Sequence, residues 1–307
     1  MQIEPTQSMW KNGALIRWEE ATIHPLSHGL HYGTSVFEGI RCYETDRGPA
    51  VFRLREHMVR LRTSAKALHM DIPHSVDELS AATLEVISAN GLRECYIRPI
   101  SLFGASGIGV NPLGYPVDTF IIAFALGAYL GEEGVRNGIR VHTSSWRRVS
   151  SSSVPASAKI CGNYVNSALA VMEAKQNGFD EAVILNEHGF VAEGSGENIF
   201  MVMDGRVLTP PVSADILPGI TRMSLMQVAA DMGYAVEERD VSRGEMFLAE
   251  ELFFTGSAAE ITPIREVDRR PVGKGVPGEV TKRLQAKFAD VVRAKDEKYI
   301  GWLTFVE

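Results

Sequence analysis

Tight turns between short alternating segments constrain the fold of this chain most strongly. Asn12-Gly13 separates two such segments within residues 9–18. An Asp-Arg-Gly turn at residues 46–48 joins residues 36–43 to residues 50–54. Asparagine and glycine adopt the positive φ angles that tight hairpin connections require. We therefore expect two antiparallel hairpins in the first part of the chain.

Helical patterns and a longer strand follow these hairpins. An apolar helical repeat comes next, and Ser75 with Glu78 has the capping-box spacing that begins a second helix. Residues 95–103 alternate as a strand does, which places Tyr96 and Arg98 on one face. The sequence therefore predicts that a tyrosine and an arginine project together from one strand.

The second half mixes the same kinds of element. Strands are predicted at residues 139–143, 181–186 and 251–255, and helices after Pro218-Gly219 and over residues 278–294. A doubly wound sheet would need a regular alternation of strand and helix, which this order does not have. We therefore expect an α/β protein built from two mixed α+β halves.

The length of the chain also favours two domains. With 307 residues, of which 45% are hydrophobic, each half can bury its own core. Residues 127–138 are rich in glycine and charge, which is typical of a linker. We predict a small N-terminal α/β domain over residues 1–126, a linker over 127–138, and a larger cofactor-binding domain over 139–307.

The charge pattern argues against nucleic acid and membranes as partners. The net charge is -7, and the one basic cluster, Trp146-Arg147-Arg148, is short. No apolar segment approaches the ~20 residues of a membrane helix, and no charged-then-apolar leader is seen. Three cysteines without metal-type spacing favour reduced thiols. We expect a cytoplasmic protein with small-molecule partners and no metal.

A single lysine, Lys159, stands among small residues in the segment 154–166. Small neighbours leave room for a ligand to approach the backbone and the amine. A lysine amine becomes a usable nucleophile where its surroundings disfavour the charge, so Lys159 could form an imine with a cofactor aldehyde. The alternative is a solvated side chain at the start of a helix.

Three further features would suit a phosphorylated imine cofactor. Residues 217–222 begin a helix, and the free N–H groups of a helix N-terminus bind phosphate. The turn at residues 255–259 offers backbone donors and a hydroxyl. Glu193 lies beside glycines, where a carboxylate can keep a ring nitrogen protonated. Each feature, taken alone, is more often structural.

Ordered motifs give these features a common interpretation. Residues 193–200, 207–209 and 217–222 together resemble the signature of the class IV aminotransferases, the fold-type IV pyridoxal phosphate enzymes with the D-amino acid aminotransferase-like fold. The resemblance extends from Trp10 to about Trp302. Other segments resemble the branched-chain amino acid aminotransferases in particular: residues 31–33, 36–41, 96–99, 109–112, 162–164 and 254–263.

The resemblance implies a cofactor site for pyridoxal 5'-phosphate. Lys159 would hold the cofactor as a Schiff base and shuttle the substrate proton. Glu193 would pair with the pyridine nitrogen, and Tyr164 would donate to the phenolic oxygen. The residues implied in binding the phosphate and the rest of the cofactor are Arg60, Leu217, Gly219, Ile220, Thr221, Gly256 and Ser257.

The resemblance also implies the reaction and its substrates. The amino group of leucine, isoleucine or valine would pass to 2-oxoglutarate, giving a branched 2-oxo acid and L-glutamate in a ping-pong cycle. Arg98 would meet the γ-carboxylate of glutamate, and Tyr96 the α-carboxylate of either substrate. The remaining residues implied in substrate binding are Tyr32, Phe37, Gly39, Ile108, Val110, Tyr129, Ser257 and Ala258.

In this family the loop around Ile108 and Val110 reaches a neighbouring subunit's site. The resemblance therefore implies a homo-oligomer, at least a dimer, with a hexamer built of three dimers as the larger form. Leu126 departs from the tryptophan that some bacterial members carry before the Gly-Ala-Tyr segment. That departure leaves open the width of the pocket and the ranking of valine, leucine and isoleucine.

Other activities remain as alternatives. Within the fold they are a D-amino acid aminotransferase, an (R)-amine transaminase and an aminodeoxychorismate lyase. Tyr96 with Arg98, and the Gly-Val-Asn-Pro segment at residues 109–112, argue against them. A catalytically silent binding or regulatory protein with the same fold is disfavoured because Lys159, Tyr164 and Glu193 are all present. A serine-lysine hydrolase is disfavoured because the SxxK spacing is absent.

Overall fold

A computed structural model describes residues 3–127 and 129–306. Its strands are β1 (Ser8–Lys11), β2 (Ala14–Arg17), β3 (Ser35–Phe37), β4 (Ile40–Thr45), β5 (Gly48–Phe52), β6 (Cys95–Phe103), β7 (Val117–Phe124), β8 (Ile139–Arg147), β9 (Glu181–Leu185), β10 (Val191–Gly194), β11 (Asn198–Met203), β12 (Arg206–Thr209), β13 (Val236–Glu238), β14 (Glu251–Gly256), β15 (Glu260–Val267), β16 (Arg270–Pro271) and β17 (Leu303–Phe305). Its α-helices are α1 (His28–Tyr32), α2 (Leu54–Ala67), α3 (Val76–Ala89), α4 (Glu132–Asn137), α5 (Tyr164–Gln176), α6 (Ile220–Asp231), α7 (Arg243–Met246) and α8 (Glu279–Val292).

The chain divides into two compact units. Unit 1 consists of Met1–Leu126, Ala158–Gly162 and Asp290–Glu307, and unit 2 of Gly127–Ser157 and Asn163–Ala289. The two halves are each mixed, and the predicted mixed α/β architecture is confirmed. None of the helices in the described part of the chain has the length and apolar composition that a membrane span requires.

Unit 1 is organised around an antiparallel sheet. In the part of the chain that the structure describes, this sheet has eight strands in the order β17-β5-β4-β6-β7-β1-β2, with β3 paired to β6. Both predicted hairpins are confirmed, since β1 pairs with β2 across Asn12-Gly13 and β4 pairs with β5 across residues 46–47. The predicted capping box of α3 is also confirmed, because Ser75 and Glu78 exchange hydrogen bonds.

Unit 2 contains a mixed sheet. Among the described residues of this unit, nine strands form the sheet, in the order β10-β9-β8-β15-β14-β11-β12-β13, with β16 paired to β15. Strand β8 runs parallel to both β9 and β15, and β12 runs parallel to β13. A buried apolar cluster that includes Phe254, Leu252 and Ile199 packs on this sheet.

The units differ from the predicted domains in three places. The predicted linker, residues 127–138, lies inside unit 2, where Glu132–Asn137 forms α4. Residues 158–162 and 290–307 belong to unit 1, although both follow the predicted start of the C-terminal domain. A boundary predicted from a glycine-rich segment cannot show that a later segment pairs with the sheet of the first unit. Independent folding of the predicted domains stays a prediction.

The returning segment 158–162 extends the edge of β3. Phe37 N–H donates to the Lys159 carbonyl oxygen at 3.2 Å, and Ile160 forms an antiparallel bridge with Val36. Gly162 N–H donates to the Gly33 carbonyl oxygen at 3.1 Å. Backbone pairing therefore fixes the segment that carries Lys159.

The contact between Gly33 and Gly162 is too close for a larger residue. Gly33 has a φ of +68°, and a Cβ there would lie 2.8 Å from Gly162 Cα. Gly91 is a matched control, since its φ is +60° and a Cβ there would meet nothing within 4 Å. Comparing Gly33 with Gly91 separates the backbone strain of a positive φ from the effect of the close Gly33–Gly162 contact.

We expect Gly33→Ala to cost more stability than Gly91→Ala. Both substitutions place an alanine in a left-handed conformation, at about 1 kcal/mol. Gly33→Ala also forces two backbone segments apart, which adds about 1–3 kcal/mol. Urea unfolding of both variants measures the difference. Equal losses would mean that the Gly33–Gly162 approach does not hold the segment.

Candidate active site

Lys159 lies in unit 1, half-buried, beside the aromatic ring of Phe37. Its Nζ is 4.9 Å from the Phe37 ring centroid. Its backbone N–H donates to Ser64 Oγ at 2.9 Å. The pKa of the nearby Cys161 thiol is raised by burial, which keeps that side chain a neutral, small neighbour. The surroundings hold the lysine backbone on both sides and leave its amine next to an aromatic face.

Tyr96, Arg98 and Phe37 form one cluster in unit 1. Arg98 Nη2 donates to Tyr96 Oη at 2.9 Å, and the guanidinium carbon lies 4.7 Å from the Phe37 ring centroid. The predicted shared face of this strand is confirmed. Arg98 Nε is buried and has no hydrogen-bond partner within the described residues. An arginine held in this way has donor capacity for an acidic ligand.

Gly39 allows Tyr96 its position. A Cβ at Gly39 would lie 2.0 Å from Tyr96 Oη. Any side chain at residue 39 would therefore displace the tyrosine hydroxyl that Arg98 contacts. Gly39 is therefore needed for a steric reason, which its sequence motif alone did not show.

Arg60 is held by a buried acid that the sequence did not single out. Glu38 Oε1 accepts from Arg60 Nε at 2.7 Å, and Glu38 Oε2 accepts from Arg60 Nη2 at 2.8 Å. His57 Nδ1 donates to Glu38 Oε2 at 2.7 Å. Glu38 is fully buried, and the side chain of Arg60 is 13% exposed. Arg60, which the sequence predicted to bind phosphate, is thus hydrogen-bonded within a group that also contains Glu38 and His57.

The charges of this group follow from its surroundings. Burial would raise the pKa of Glu38, but the Arg60 guanidinium, together with the hydrogen bonds from Arg60 and His57, outweighs it and holds that pKa well below its ordinary range. Burial lowers the pKa of His57, which opposes the attraction of Glu38. We infer an ionised Glu38 and a neutral His57 at neutral pH.

In unit 2, three donors fix the carboxylate of Glu193. Arg148 Nε lies 2.9 Å from Glu193 Oε1. Asn198 Nδ2 donates to Oε2 at 3.0 Å, and Leu217 N–H donates to the same oxygen at 3.2 Å. Glu193 is buried, with 5% of its surface exposed. Its surroundings favour a negative charge in a fixed orientation.

Asn198 also joins Glu193 to the start of α6. Its Nδ2 donates to the Leu217 carbonyl oxygen at 2.9 Å. A Cβ at Gly219, the N-cap of α6, would lie 2.0 Å from Asn198 Oδ1. Ile220 and Thr221 follow as the first residues of the helix, where backbone N–H groups have no acceptor within the helix. The amide side chain therefore sets the distance between the acid and the helix N-terminus.

The turn at residues 256–258 lies beside the same segment. Asn198 pairs with Thr255 in the sheet, and a Cβ at Gly256 would lie 3.6 Å from the Gly196 carbonyl oxygen. Thr255 Oγ1 is buried and has no hydrogen-bond partner in the described part of the chain. Ser257 and Ala258 follow in a half-buried turn between β14 and β15. Unit 2 thus brings together Glu193, the start of α6 and the Gly-Ser turn.

Other predicted site residues are half-buried or exposed in the single chain. Tyr164 is half-buried as the first residue of α5. The exposed members of the predicted set are Tyr32 at 45%, Tyr129 at 48%, Val110 at 77% and Ile108 at 89%. Their predicted roles in substrate binding stay predictions.

Comparison with known proteins shows the family. The family model "Amino-transferase class IV" matches residues 35–267. The chain belongs to the class IV aminotransferases, and the family predicted from its motifs is confirmed. The structure is similar to those of branched-chain amino acid aminotransferases, so the predicted fold-type IV fold is confirmed as well.

Three relatives illustrate the similarity. The branched-chain-amino-acid aminotransferase of Escherichia coli K12 is 47% identical, over 99% of this chain and 98% of that protein. The crystal structure of the Escherichia coli enzyme has a TM-score of 0.97 at 47% identity, covering 98% of this chain and 100% of that one. The enzyme of Thermoproteus uzoniensis, a thermophilic archaeon, was solved with norvaline and has a TM-score of 0.94 at 42% identity, covering 98% of this chain and 100% of that one.

A further solved branched-chain amino acid aminotransferase contains pyridoxamine 5'-phosphate. It is 50% identical to this chain with a TM-score of 0.96, and the match covers 100% of both chains. The same cofactor class is therefore present in a structural neighbour that matches along the whole length.

Sequence reasoning missed four residues that shape these clusters: Glu38, His57, Arg148 and Asn198. Glu38 and Asn198 stand inside the motifs quoted above, where a charged or amide side chain next to buried strand residues was an available signal. Arg148 was dismissed as part of a short basic cluster. His57 lies on the apolar face of its helix, and only the packing of that helix shows its partner.

We expect Arg148→Met to destabilise unit 2 by about 3 kcal/mol, because it leaves the buried Glu193 carboxylate without its cation. Arg206→Met is the matched control. Its exposed pair with Glu237 has side chains 62% and 44% exposed, so its loss should stay below about 1 kcal/mol. Urea unfolding of the cofactor-free chain measures both. Similar losses would show that Arg148 is not the ion partner that fixes Glu193.

Proposed function

We infer that this protein is a branched-chain-amino-acid aminotransferase with pyridoxal 5'-phosphate as its cofactor. It transfers the amino group of leucine, isoleucine or valine to 2-oxoglutarate. The family and the relatives' printed activities support the reaction. The cluster of Arg98 on Phe37 is the structural observation that carries the substrate assignment, because a cation beside an aromatic wall suits both a carboxylate and an aliphatic side chain.

The residues of unit 2 fit this cofactor. A side chain at residue 219 would collide with Asn198, so the start of α6 keeps its backbone open to a phosphate. Thr255 Oγ1 lacks a partner among the described residues, beside the Gly-Ser turn. Glu193 offers a buried carboxylate for a protonated ring nitrogen. These observations agree with the chemistry of a phosphorylated pyridine.

The bound cofactor supplies an electron-withdrawing ring that makes the Cα proton of an amino acid removable. Lys159 would bind the cofactor through its side-chain amine, and that amine would take the substrate's Cα proton and return it. Glu193 would keep a negative charge beside the ring nitrogen, and Tyr164 would donate a hydrogen bond to the phenolic oxygen. The Phe37 ring beside the Lys159 amine limits the water that reaches it.

Several residues are proposed to hold the cofactor by its phosphate. Arg60 supplies a guanidinium, whose planar donors match phosphate oxygens. The N-terminus of α6 supplies backbone N–H groups and the positive end of its dipole. The proposed phosphate and cofactor contacts are Arg60, Leu217, Gly219, Ile220, Thr221, Gly256 and Ser257.

Two substrates are proposed to share one set of residues. Tyr96, with the backbone of Ser257 and Ala258, binds the α-carboxylate that every amino acid carries. Arg98 binds the γ-carboxylate of glutamate and lies along the aromatic wall when an aliphatic side chain is bound. A charged ligand leaves no uncompensated cation, and the stack on Phe37 reduces the cost when the ligand is apolar.

A homo-oligomer, at least a dimer, is proposed as the active form. Ile108 and Val110 are 89% and 77% exposed in the single chain, which suits residues that contact another subunit. The proposed location is the cytoplasm, because Cys42, Cys95 and Cys161 are all free thiols.

We expect Arg98→Leu to affect glutamate far more than leucine. The charge-assisted contact with the γ-carboxylate is worth ~1.5–3 kcal/mol, so kcat/KM for the glutamate half-reaction should fall about ten- to a hundredfold. The leucine half-reaction should lose much less. Tyr96→Phe is the matched control, since loss of an α-carboxylate contact should weaken both substrates together.

Stopped-flow half-reactions with each amino acid give the four rates. Equal losses for leucine and glutamate in Arg98→Leu would make Arg98 structural. A wild-type protein that transfers no amino group from leucine would overturn the proposed activity itself.

A further inference from the structure

Helix α2 carries a buried polar stripe, and the proposed reaction gives a role to only one of its three residues, Arg60. His57, Arg60 and Ser64 are spaced by three and four residues, which places them on one face of the helix. His57 and Ser64 are each 1% exposed. Apolar residues such as Met58 and Leu61 flank them in the core. Polar groups this deeply buried need specific partners.

Each residue of the stripe has such a partner in unit 1. His57 and Arg60 both bind Glu38, and Ser64 Oγ accepts the backbone N–H of Lys159 at 2.9 Å. One face of α2 therefore contacts both the acid between β3 and β4 and the segment that carries the reactive lysine. A shift of this helix would move both contacts together.

Glu38 is itself fixed in position. It lies in the break between β3 and β4, and its N–H donates to the Pro99 carbonyl oxygen at 2.8 Å. Its two carboxylate oxygens take the Nε and Nη2 edge of Arg60 at 2.7 and 2.8 Å. Such a two-point contact fixes the plane of a guanidinium as well as its place. His57 holds Oε2 from a further direction at 2.7 Å.

Stability alone does not explain a buried charged group of this kind. Replacing a buried ion pair by apolar side chains of similar volume is often neutral or stabilising, because the desolvation of two charges is so costly. The arrangement instead gives Arg60 one orientation. A ligand that binds an oriented arginine does not have to order that side chain first.

We propose that Glu38, supported by His57, is a positioning residue that holds Arg60 in the orientation required to bind the cofactor's phosphate. This inference rests on the proposed function, in which Arg60 contacts the phosphate. Glu38 touches neither the substrate nor the cofactor in this role and acts through Arg60.

Two ligands that differ only in the phosphate test the proposal. The full-length chain, freed of its cofactor, is titrated with pyridoxal 5'-phosphate and with pyridoxal, and binding is followed by visible absorbance. Glu38→Gln should raise the Kd for pyridoxal 5'-phosphate about ten- to a hundredfold, the size of one charge-assisted contact. Pyridoxal should keep its wild-type Kd.

A matched control and two further variants sharpen the experiment. Glu44→Gln removes an acid from an exposed pair with Arg93 and should change neither Kd. Glu38→Asp keeps the negative charge but shortens the side chain. If Glu38→Gln does not fold, the two ligands are compared on Glu38→Asp instead. In an Arg60→Gln background, Glu38→Gln should weaken pyridoxal 5'-phosphate no further.

The outcomes separate this inference from the proposed function. Equal weakening of both ligands would show that Glu38 only maintains the fold. Unchanged or tighter binding of pyridoxal 5'-phosphate would show that Arg60 needs no positioning by Glu38. A wild-type chain that does not bind pyridoxal 5'-phosphate at all would instead refute the proposed function.

Discussion

The backbone pairing of residues 158–162 with the edge of β3 is the interaction on which unit 1 depends for its proposed chemistry. The backbone carbonyl oxygen of Lys159 accepts a hydrogen bond from Phe37 N–H, and the backbone N–H of Lys159 donates one to Ser64 Oγ. A lysine side chain is long and flexible, so its usefulness as a nucleophile requires a fixed backbone and a restricted environment. The fixed backbone and the restricted environment both come from residues 158–162, which follow the first strand of unit 2 in sequence but pair with the sheet of unit 1.

Unit 2 depends on an analogous contact through Asn198. This amide binds the carboxylate of Glu193 and the carbonyl oxygen of Leu217. It thereby joins an acid on one strand to the N-terminus of a helix. Buried amides satisfy several partners at once only in one geometry, which makes the distance between the acid and the helix start a fixed quantity. The Arg148 guanidinium adds the compensating charge.

Local patterns in the sequence predicted much of this structure. The Asn12-Gly13 hairpin, the Ser75 cap and the common face of Tyr96 and Arg98 depend on neighbours within a few residues, and the structure confirms them. The motifs predicted the family because several of them occur in the same order along one chain, which is far more specific than any single motif.

Features that depend on distant partners could not be predicted in this way. The parallel pairing of β8 with β9 and β15 joins strands far apart in sequence. The buried Glu38 and Arg60 pair arises only when α2 packs on the corner between β3 and β4. A charged side chain in a strand-like segment has no local pattern that shows its partner, so tertiary packing decides its role.

Identification of the lysine that binds the cofactor tests the central claim most directly. The full-length chain is saturated with pyridoxal 5'-phosphate, reduced with borohydride so that an imine becomes a stable amine, and mapped by peptide mass spectrometry. We expect a phosphopyridoxyl group on Lys159 and its loss in Lys159→Ala. A label on another lysine, or no label at all, would contradict the assignment of Lys159.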